Sequence, residues 1–309
     1  MSGWTAADVP DLTGRVAVVT GGNAGIGLET ATVLAQRGGT VVLACRDERK
    51  AAQAVSRIRS ATPGADVRPV RLDLASLGSV RQAAAEILAD CPRLDLLINN
   101  AGVMYVPSQR TEDGFELTFG TNHLGHFALT GLVLPRLLDT PGSRVVTVSS
   151  VAHRYGEMHF DDLNLTQHYE PGPAYGQSKL ANLLFSYELS ERLTAAGAGT
   201  ASLAAHPGVV LTGLWRTSAR WERALISPRL RLINFWAAQS PERGALPTLR
   251  AATDPAAQGG EYYGPGGFHE YTGHPVRVES TAGAHDPAAQ RRLWDISEQL
   301  TGVSCAVMA

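Results

Sequence analysis

Short apolar runs rich in β-branched residues alternate along the chain with longer amphipathic segments rich in alanine. The first two pairs are RVAVVT with GIGLETATVLAQRG and TVVLAC with DERKAAQAVSRIRS, and the alternation continues through DVRPVRL, SVRQAAAEILAD, LDLLINN, SRVVTVSS and TASLAAH. The short runs are apolar almost throughout, as expected of parallel strands that are covered by helices on both faces. The sequence therefore predicts an α/β fold with a doubly wound parallel sheet of about seven strands.

Composition and charge narrow the domain count and the class of partner. The chain has 309 residues, of which 44% are hydrophobic and 18% charged, and no repeat or low-complexity linker divides it. We therefore expect one domain over residues 1–309. The net charge of −2 offers no basic surface for nucleic acid.

Cysteine spacing and the amino-terminal stretch bear on the compartment. Cys45, Cys91 and Cys305 lie far apart, and His123 and His126 have no third ligand at metal spacing, so neither a disulfide framework nor a metal site is expected. The first residues, MSGWTAADVPDLTGR, lack the pattern of a signal peptide. No apolar run reaches the ~18 residues of a membrane span, so a cytoplasmic protein is expected.

A glycine-rich turn follows the first predicted strand. Residues 20–27 read TGGNAGIG, and a predicted helix follows at once. Gly21, Gly25 and Gly27 allow a tight turn in which helix N–H groups point at an anion, although the spacing differs from G-x-G-x-x-G. The position of this turn, between a strand and a helix, predicts a phosphate-binding site.

The end of the second predicted strand bears on which dinucleotide would bind. NAD-binding folds place an acidic residue there for the ribose 2′-hydroxyl, whereas an arginine accommodates a 2′-phosphate. Here Cys45 and Arg46 occupy the strand end, which favours NADP. Asp47 begins DERKAA and is expected to cap the next helix. The alternative for Arg46 is an ordinary solvated surface residue.

A tyrosine and a lysine stand four positions apart in the apolar segment AYGQSKLANLLF. Tyr175 and Lys179 would be neighbours one turn apart on a helix. The simple alternative is that the tyrosine packs its ring in the core while the lysine extends to water.

Together with NNAG at residues 99–102, these motifs resemble the short-chain dehydrogenase/reductase family. The segments ACRDERKA, TNHLGHF, VSSVAH, AYGQSKLAN and HPGVV are similar to its retinol-dehydrogenase-like branch, and the resemblance covers roughly residues 12–265. It implies a single Rossmann-like, NADP-binding domain. It also implies a catalytic set composed of Asn122, Ser150, Tyr175 and Lys179.

Two members of this set have alternatives. Ser149 is the rival of Ser150, but successive side chains on a strand point to opposite faces, so one of the two reaches the site. Asn122 matches the asparagine that anchors a water near the lysine in the family, and its alternative is a polar residue in a turn.

The resemblance implies further contacts to the dinucleotide. Asp73 would lie near the adenine, with a helix N-cap as its alternative, and Asn99 would begin a loop lining the cofactor. Thr212 could reach the pyrophosphate. The full expected set for NADP(H) is Gly21, Asn23, Gly25, Ile26, Gly27, Arg46, Asp73, Leu74, Asn99, Ala101, Gly102, Tyr175, Lys179, Pro207, Val209 and Thr212.

Hydride transfer to a carbonyl requires a proton donor, and the reverse reaction requires a base. A free tyrosine has a pKa of about 10 and is a poor base at neutral pH. A lysine charge about 4 Å away would favour tyrosinate by ~4 kcal/mol at an effective dielectric of about 20. Lys179 is therefore expected to bring the pKa of Tyr175 near the working pH, while Ser150 donates a hydrogen bond to the same substrate oxygen.

The predicted function is an NADP(H)-dependent oxidoreductase that interconverts a lipophilic alcohol and its aldehyde or ketone, in the role of a carbonyl reductase. The alternative is a redox sensor that binds the dinucleotide without turnover. A homo-oligomer is possible.

Residues 211–240 are rich in Trp, Leu and Arg. They are interpreted as a substrate lid, with a membrane-surface helix or an oligomer contact as alternatives. Residues 266–309 are expected to form an extension that ends in a short amphipathic helix.

Overall fold

The computed structural model describes residues 3–210 and 238–307. Within these ranges the chain forms one eight-stranded sheet with the order β3-β2-β1-β4-β5-β6-β7-β8. The strands are β1 (Val16–Thr20), β2 (Thr40–Cys45), β3 (Val67–Arg71), β4 (Leu96–Asn99), β5 (Arg144–Val148), β6 (Ala201–Ala205), β7 (Tyr262–Pro265) and β8 (Pro275–Arg277). Strands β1 to β7 are parallel, and β8 pairs with β7 in the antiparallel direction. The predicted doubly wound α/β fold is confirmed, and the eighth strand comes from the expected C-terminal extension.

Eight α-helices are described in the same ranges. They are α1 (Gly25–Gln36), α2 (Glu48–Ala61), α3 (Leu77–Asp90), α4 (Leu117–Phe119), α5 (Gly125–Leu138), α6 (Pro171–Ala195), α7 (Pro241–Thr253) and α8 (Pro287–Thr301). A π-helical turn, Gly120–Leu124, joins α4 to α5, and a 3₁₀ turn, Val151–Tyr155, follows β5.

Both faces of the sheet are covered, which explains why the strands are apolar without alternation. On β1, Ala17 and Val19 belong to one core, whereas Val16 and Val18 belong to another. The first core includes residues of α1, α2 and α7, and the second includes residues of α3, α5 and α6. Because successive side chains of a strand point to opposite faces of the sheet, one strand contributes residues to both cores.

Helix α8 closes the second layer and confirms the expected amphipathic helix near the end of the chain. Trp294 is 1% exposed. Its ring stacks on Phe185 at 5.9 Å and meets Phe127 edge-on at 5.2 Å. The guanidinium of Arg192 lies 4.3 Å from the ring centroid. This aromatic cluster fastens α8 to α5 and α6.

We expect Trp294→Ala to lower the free energy of unfolding by about 3–5 kcal/mol, because it empties a large, fully buried volume. Phe268→Ala is the matched control, since Phe268 is 76% exposed and its removal should change stability by less than about 0.5 kcal/mol. Urea unfolding followed by far-UV circular dichroism measures both. Equal effects of the two substitutions would contradict the assignment of Trp294 to the core.

The strand order identifies where a ligand would bind. The sheet extends from β1 through β2 to β3 in one direction and from β4 through β8 in the other. Open parallel sheets bind ligands beyond the carboxyl ends of the strands at such a reversal. The glycine turn after β1 and the NNAG loop after β4 lie at this point. In the described ranges, no helix is long and apolar enough to cross a bilayer.

Candidate active site

The glycine turn brings β1 and α1 into close contact with the loop after β4. Gly21 and Gly25 have φ values of 66° and 53°, a region that L side chains rarely adopt. A Cβ on Gly27 would lie 2.5 Å from Nδ2 of Asn100 and 2.6 Å from the carbonyl oxygen of Gly21. Helix α1 begins at Gly25 without a side-chain cap from any described residue. Its first N–H groups are therefore left for a ligand.

Asn100, the second asparagine of NNAG, connects the NNAG loop to the first strand. The side-chain amide of Asn100 donates to the carbonyl of Thr20 at 2.9 Å, and the N–H groups of Asn100 and Ala101 donate to Thr20 Oγ1. Asn99 is fully buried, and its amide donates to Thr130 on α5 at 3.0 Å. The second asparagine of NNAG and Thr20 were missed by the sequence analysis.

Arg46 and Asp47 lie at the carboxyl end of β2. Arg46 is exposed. The carboxylate of Asp47 accepts from the N–H of Lys50 at 3.0 Å and lies 3.3 Å from Lys50 Nζ. The predicted helix cap at Asp47 is confirmed, and these bonds hold the pKa of Asp47 below its usual value.

Asp73 and Leu74 follow β3, at the same edge of the sheet. The carboxylate of Asp73 accepts from the N–H of Ala75 at 3.0 Å. The alternative interpretation of Asp73 as a helix N-cap is wrong, because Ser76 caps α3 through the N–H of Ser79. Asp73 and the N-cap residue Ser76 are separated by a short loop. Leu74 is buried.

The two serines after β5 point in opposite directions, as expected of consecutive positions. Ser149 is buried and donates to the carbonyl of Lys179 at 2.8 Å. Ser150 is half-buried, its hydroxyl accepts from the N–H of Ala152, and it lies close enough to the phenol of Tyr175 to lower the pKa of that phenol. Ser150 is therefore the serine that reaches Tyr175.

Lys179 lies one turn after Tyr175 on α6 and is 4% exposed. Its Nζ donates to the carbonyl of Val148 at 3.0 Å and lies 5.7 Å from the ring centroid of Tyr175. The simple alternative, a lysine extended to water, is wrong. Burial lowers the pKa of Lys179 to about 8.

The expectation that Lys179 brings the pKa of Tyr175 towards neutrality is not met. Burial raises the pKa of Tyr175 to about 12, and the hydrogen bond with Ser150 offsets part of this rise. The earlier estimate counted the attraction of the lysine charge and left out the cost of removing a tyrosinate from water. In this arrangement the phenol stays protonated at neutral pH.

Asn122 is a fully buried residue of the π-helical turn, so its alternative interpretation as an ordinary turn residue is wrong. Its side-chain oxygen accepts from the N–H of Val103 at 2.8 Å, and its amide donates to the carbonyl of Val103 and to Ser178 Oγ, each at 3.0 Å. The carbonyl of Asn122 is 2.9 Å from Nδ1 of His126. Asn122 thereby fixes the loop that follows NNAG.

Close approaches at glycine join these segments into one site. A Cβ on Gly21 would lie 3.0 Å from Cα of Ala101. A Cβ on Gly102 would lie 3.1 Å from Oδ1 of Asn122 and 3.7 Å from Nζ of Lys179. The structure therefore brings the glycine turn, the NNAG loop, the π-helical turn and α6 together.

The HPGVV segment follows β6, at the same edge of the sheet as the other predicted site segments. The N–H of Val209 donates to the carbonyl of Tyr271 at 3.0 Å, and the carbonyl of Pro207 accepts from Gln239 at 2.6 Å. Nε2 of His206 lies 3.0 Å from the carboxylate of Glu270. These contacts from residues 270 and 271 of the extension were not predicted. Thr212 lies outside the described residues, as does nearly all of the 211–240 segment.

Comparisons with known proteins agree with this geometry. The family described as short chain dehydrogenase matches residues 15–223. Human retinol dehydrogenase 13 is 44% identical over 293 residues, which cover 94% of this chain and 85% of that protein. Human retinol dehydrogenase 11 is 41% identical over 305 residues, which cover 98% of this chain and 91% of that protein.

Solved structures extend the comparison to the fold. The crystal structure of an uncharacterised protein from Mycobacterium paratuberculosis has a TM-score of 0.81 and 43% identity, covering 99% of this chain and 100% of that chain. A Pseudomonas aeruginosa RhlG/NADP active-site complex has a TM-score of 0.66 and 26% identity, covering 82% of this chain and 94% of that chain. This chain therefore belongs to the short-chain dehydrogenase/reductase family of oxidoreductases, in its retinol-dehydrogenase-like branch.

Proposed function

We propose that this protein is an NADP(H)-dependent oxidoreductase that interconverts a lipophilic alcohol and its aldehyde or ketone, acts as a carbonyl reductase, and uses Tyr175 as the general acid/base. The observation that carries the proposal is the convergence of Ser150, Tyr175 and Lys179 beyond the carboxyl end of β5. The site belongs to a single NADP-binding domain.

The residues at the strand reversal fit a dinucleotide. The uncapped start of α1 and the left-handed Gly21 and Gly25 form a cradle for a pyrophosphate, with Asn23 and Ile26 beside it. A side chain at Gly27 or Gly102 would intrude on neighbouring polar atoms. When bound, the nicotinamide dinucleotide supplies or accepts the hydride. The structures of relatives that contain NADP support this choice of cofactor.

A protonated Tyr175 is in the form that carbonyl reduction uses. A phenol with a pKa near 12 is a proton donor at neutral pH, and reduction of a carbonyl needs a donor. The Ser150 hydroxyl lies near this phenol and lowers its pKa, so both hydroxyls would donate to one substrate oxygen. Proton transfer from Tyr175 Oη to that oxygen completes the alcohol.

Lys179 would hold both the dinucleotide and the phenol. Its ammonium carries three donors, and one of them is used on the carbonyl of Val148. The others are then available for a ribose hydroxyl. With a pKa of about 8 the ammonium stays mainly charged at neutral pH, which stabilises negative charge that develops on Tyr175.

Turnover of a carbonyl panel tests the proposal. Loss of the nicotinamide absorbance band would be followed with NADPH and a series of aliphatic and aromatic aldehydes and ketones. We expect lipophilic members to be reduced faster than small polar ones, in line with relatives named retinol dehydrogenases. Tight binding of NADPH without turnover of any panel member, or of the corresponding alcohols with NADP, would instead favour the redox sensor.

We expect the protein to prefer NADPH to NADH by roughly 10–150-fold, because a charge-assisted contact from Arg46 to the 2′-phosphate contributes about 1.5–3 kcal/mol. Arg46→Ala should remove most of this preference by weakening NADPH alone. Dissociation constants for both coenzymes, measured by protein fluorescence quenching, give the ratio without reliance on turnover.

Arg49→Ala serves as the control for Arg46, because Arg49 is also exposed and lies three residues further along, on α2. It should leave the coenzyme ratio unchanged. Equal affinity of the unmodified protein for NADPH and NADH would refute the role of Arg46.

A further inference from the structure

Two tyrosines from different segments meet beside Tyr175. The hydroxyl oxygens of Tyr105 and Tyr155 lie 3.1 Å apart. The ring of Tyr105 stands 5.6 Å from the ring of Tyr175, tilted by 47°. Tyr155 ends the 3₁₀ turn that begins directly after Ser150. The hydroxyl-linked pair of Tyr105 and Tyr155 is called the tyrosine bridge below.

The tyrosine bridge packs against two glycines of α6, and the contact at Gly176 is the close one. A Cβ on Gly176 would lie 3.0 Å from both Cδ2 and Cε2 of Tyr155, and a Cβ on Gly172 would lie 3.9 Å from Cε1 of Tyr105. Residues 172 and 176 are one turn apart on the same face of the helix. The tyrosine bridge therefore lies across the first two turns of α6, next to Tyr175, the proposed general acid.

Tyr105 is held in a strained backbone conformation. Its φ is 50°, which is unfavourable for a bulky side chain. The loop is fixed on both sides of Tyr105: Asn122 binds both backbone polar groups of Val103, and the hydroxyl of Tyr169 donates to the carbonyl of Val106 at 2.7 Å. Such strain persists only where the surroundings enforce it, and it is concentrated at functional sites.

We propose that the tyrosine bridge is a specificity-determining wall, which admits carbonyl compounds that are unbranched next to the carbonyl carbon and disfavours branched ones. The proposal rests on the proposed function, since the wall acts on a reacting carbon that must approach Tyr175. Tyr155 is 54% exposed, so its ring retains surface that a bound molecule can contact. The hydroxyl contact links the two rings, and the fixed loop holds the backbone on either side of Tyr105.

The test compares the binding of two isomeric amides, octanamide and 2-propylpentanamide, which resist hydride transfer. Their dissociation constants are measured by calorimetry on the protein saturated with NADPH. We expect the unmodified protein to bind the straight-chain amide more tightly by about tenfold or more. Tyr155→Ala should bring the ratio close to one.

The substitutions Tyr105→Phe and Tyr155→Phe and their combination probe the hydroxyl contact. Each substitution should lower the ratio, and the double substitution should lower it by less than the product of the two single effects, because both single substitutions remove the contact between the two hydroxyls. Tyr187→Phe is the matched control: this tyrosine is on the same helix, and its hydroxyl bonds to Ser280 at 2.9 Å, at the far end from the bridge. It should leave the ratio unchanged.

The outcomes separate this proposal from the proposed function. A ratio that Tyr155→Ala leaves unchanged, additive effects of the two Phe substitutions, or failure of the straight-chain amide to bind would overturn the wall. Reduction of octanal by the unmodified protein is recorded separately. Absence of turnover of octanal and of every other panel member, together with a ratio that responds to Tyr155→Ala, would refute the proposed function and support the wall as a feature of binding.

Discussion

Tyr175→Phe is expected to lower kcat for carbonyl reduction by roughly 10²–10⁴-fold, because it removes the group proposed to donate the proton. The ring is kept, so the packing against Tyr105 and the position of α6 should persist. The affinity for NADPH should stay nearly unchanged. Steady-state kinetics with a lipophilic aldehyde and fluorescence titration with NADPH measure the two effects separately.

Lys179→Ala is expected to differ from Tyr175→Phe in its effect on NADPH affinity. Its ammonium is buried against the carbonyl of Val148 and is proposed to contact the ribose as well as the phenol. Both kcat and NADPH affinity should therefore fall. If Tyr175→Phe retained most of the original kcat, Tyr175 would not be the acid/base. Equal loss of NADPH affinity in both variants would indicate a general disturbance of the site.

Stability is expected to fall steeply as the pH drops below about 6.5, because buried histidines are neutral in the folded protein. His123, His126 and His153 are each 1% exposed. Burial lowers the pKa of His123 to about 3 and the pKa values of His126 and His153 to about 4. The pKa of His206 moves in the same direction.

The sign and size of this effect follow from proton linkage. Above pH 6.5 the histidines are neutral in both states, so their contribution to stability is fully present. As the pH falls, the unfolded chain binds protons that the folded protein does not, and each histidine then costs about 1.4 kcal/mol per pH unit. The contribution of these histidines to stability is lost as the pH approaches their pKa values in the folded protein. Three such groups could remove most of the stability of a typical domain, about 5–15 kcal/mol, before pH 4.

Urea unfolding at pH 7.5, 6.5, 5.5 and 5.0 tests this expectation. In His123→Gln the slope of stability against pH should become shallower, even if the variant is less stable at pH 7.5. His168→Gln is the control, since the side chain of His168 is 83% exposed and should not affect the slope. A stability that stays constant from pH 7.5 to 5 would show that these histidines titrate in the folded protein as they do in the unfolded chain, and would contradict their lowered pKa values.

The sequence predicted best those features that depend on short spacings. Tyr175 and Lys179 are placed on one face by helical geometry alone, and Ser149 and Ser150 are separated by the alternation of a strand. The helix cap at Asp47 follows from the same local logic. Each of these depends on residues within four positions, where backbone geometry leaves few arrangements.

Features that depend on distant parts of the chain were not predicted. Strand β8 pairs with β7 after a loop, and Glu270 of the extension contacts His206. No local sequence pattern indicates either of these contacts. The pKa of Tyr175 was predicted wrongly because its burial depends on the whole fold. The tyrosine bridge likewise joins positions fifty residues apart.

Strands β3 and β8 form the two edges of the described sheet, where a strand from another molecule could pair. In β3 the N–H of Leu72, directly after the strand, donates inward to Cys45, so by alternation the position of Pro69 faces outward, where proline has no N–H. In β8 the N–H of Val278 donates inward to Tyr262, so Pro275 faces outward as well. The carbonyl of Pro275 is already occupied by Arg250. Each edge therefore lacks a donor that an incoming strand would need, which protects the sheet from growing into fibrils by edge-to-edge pairing.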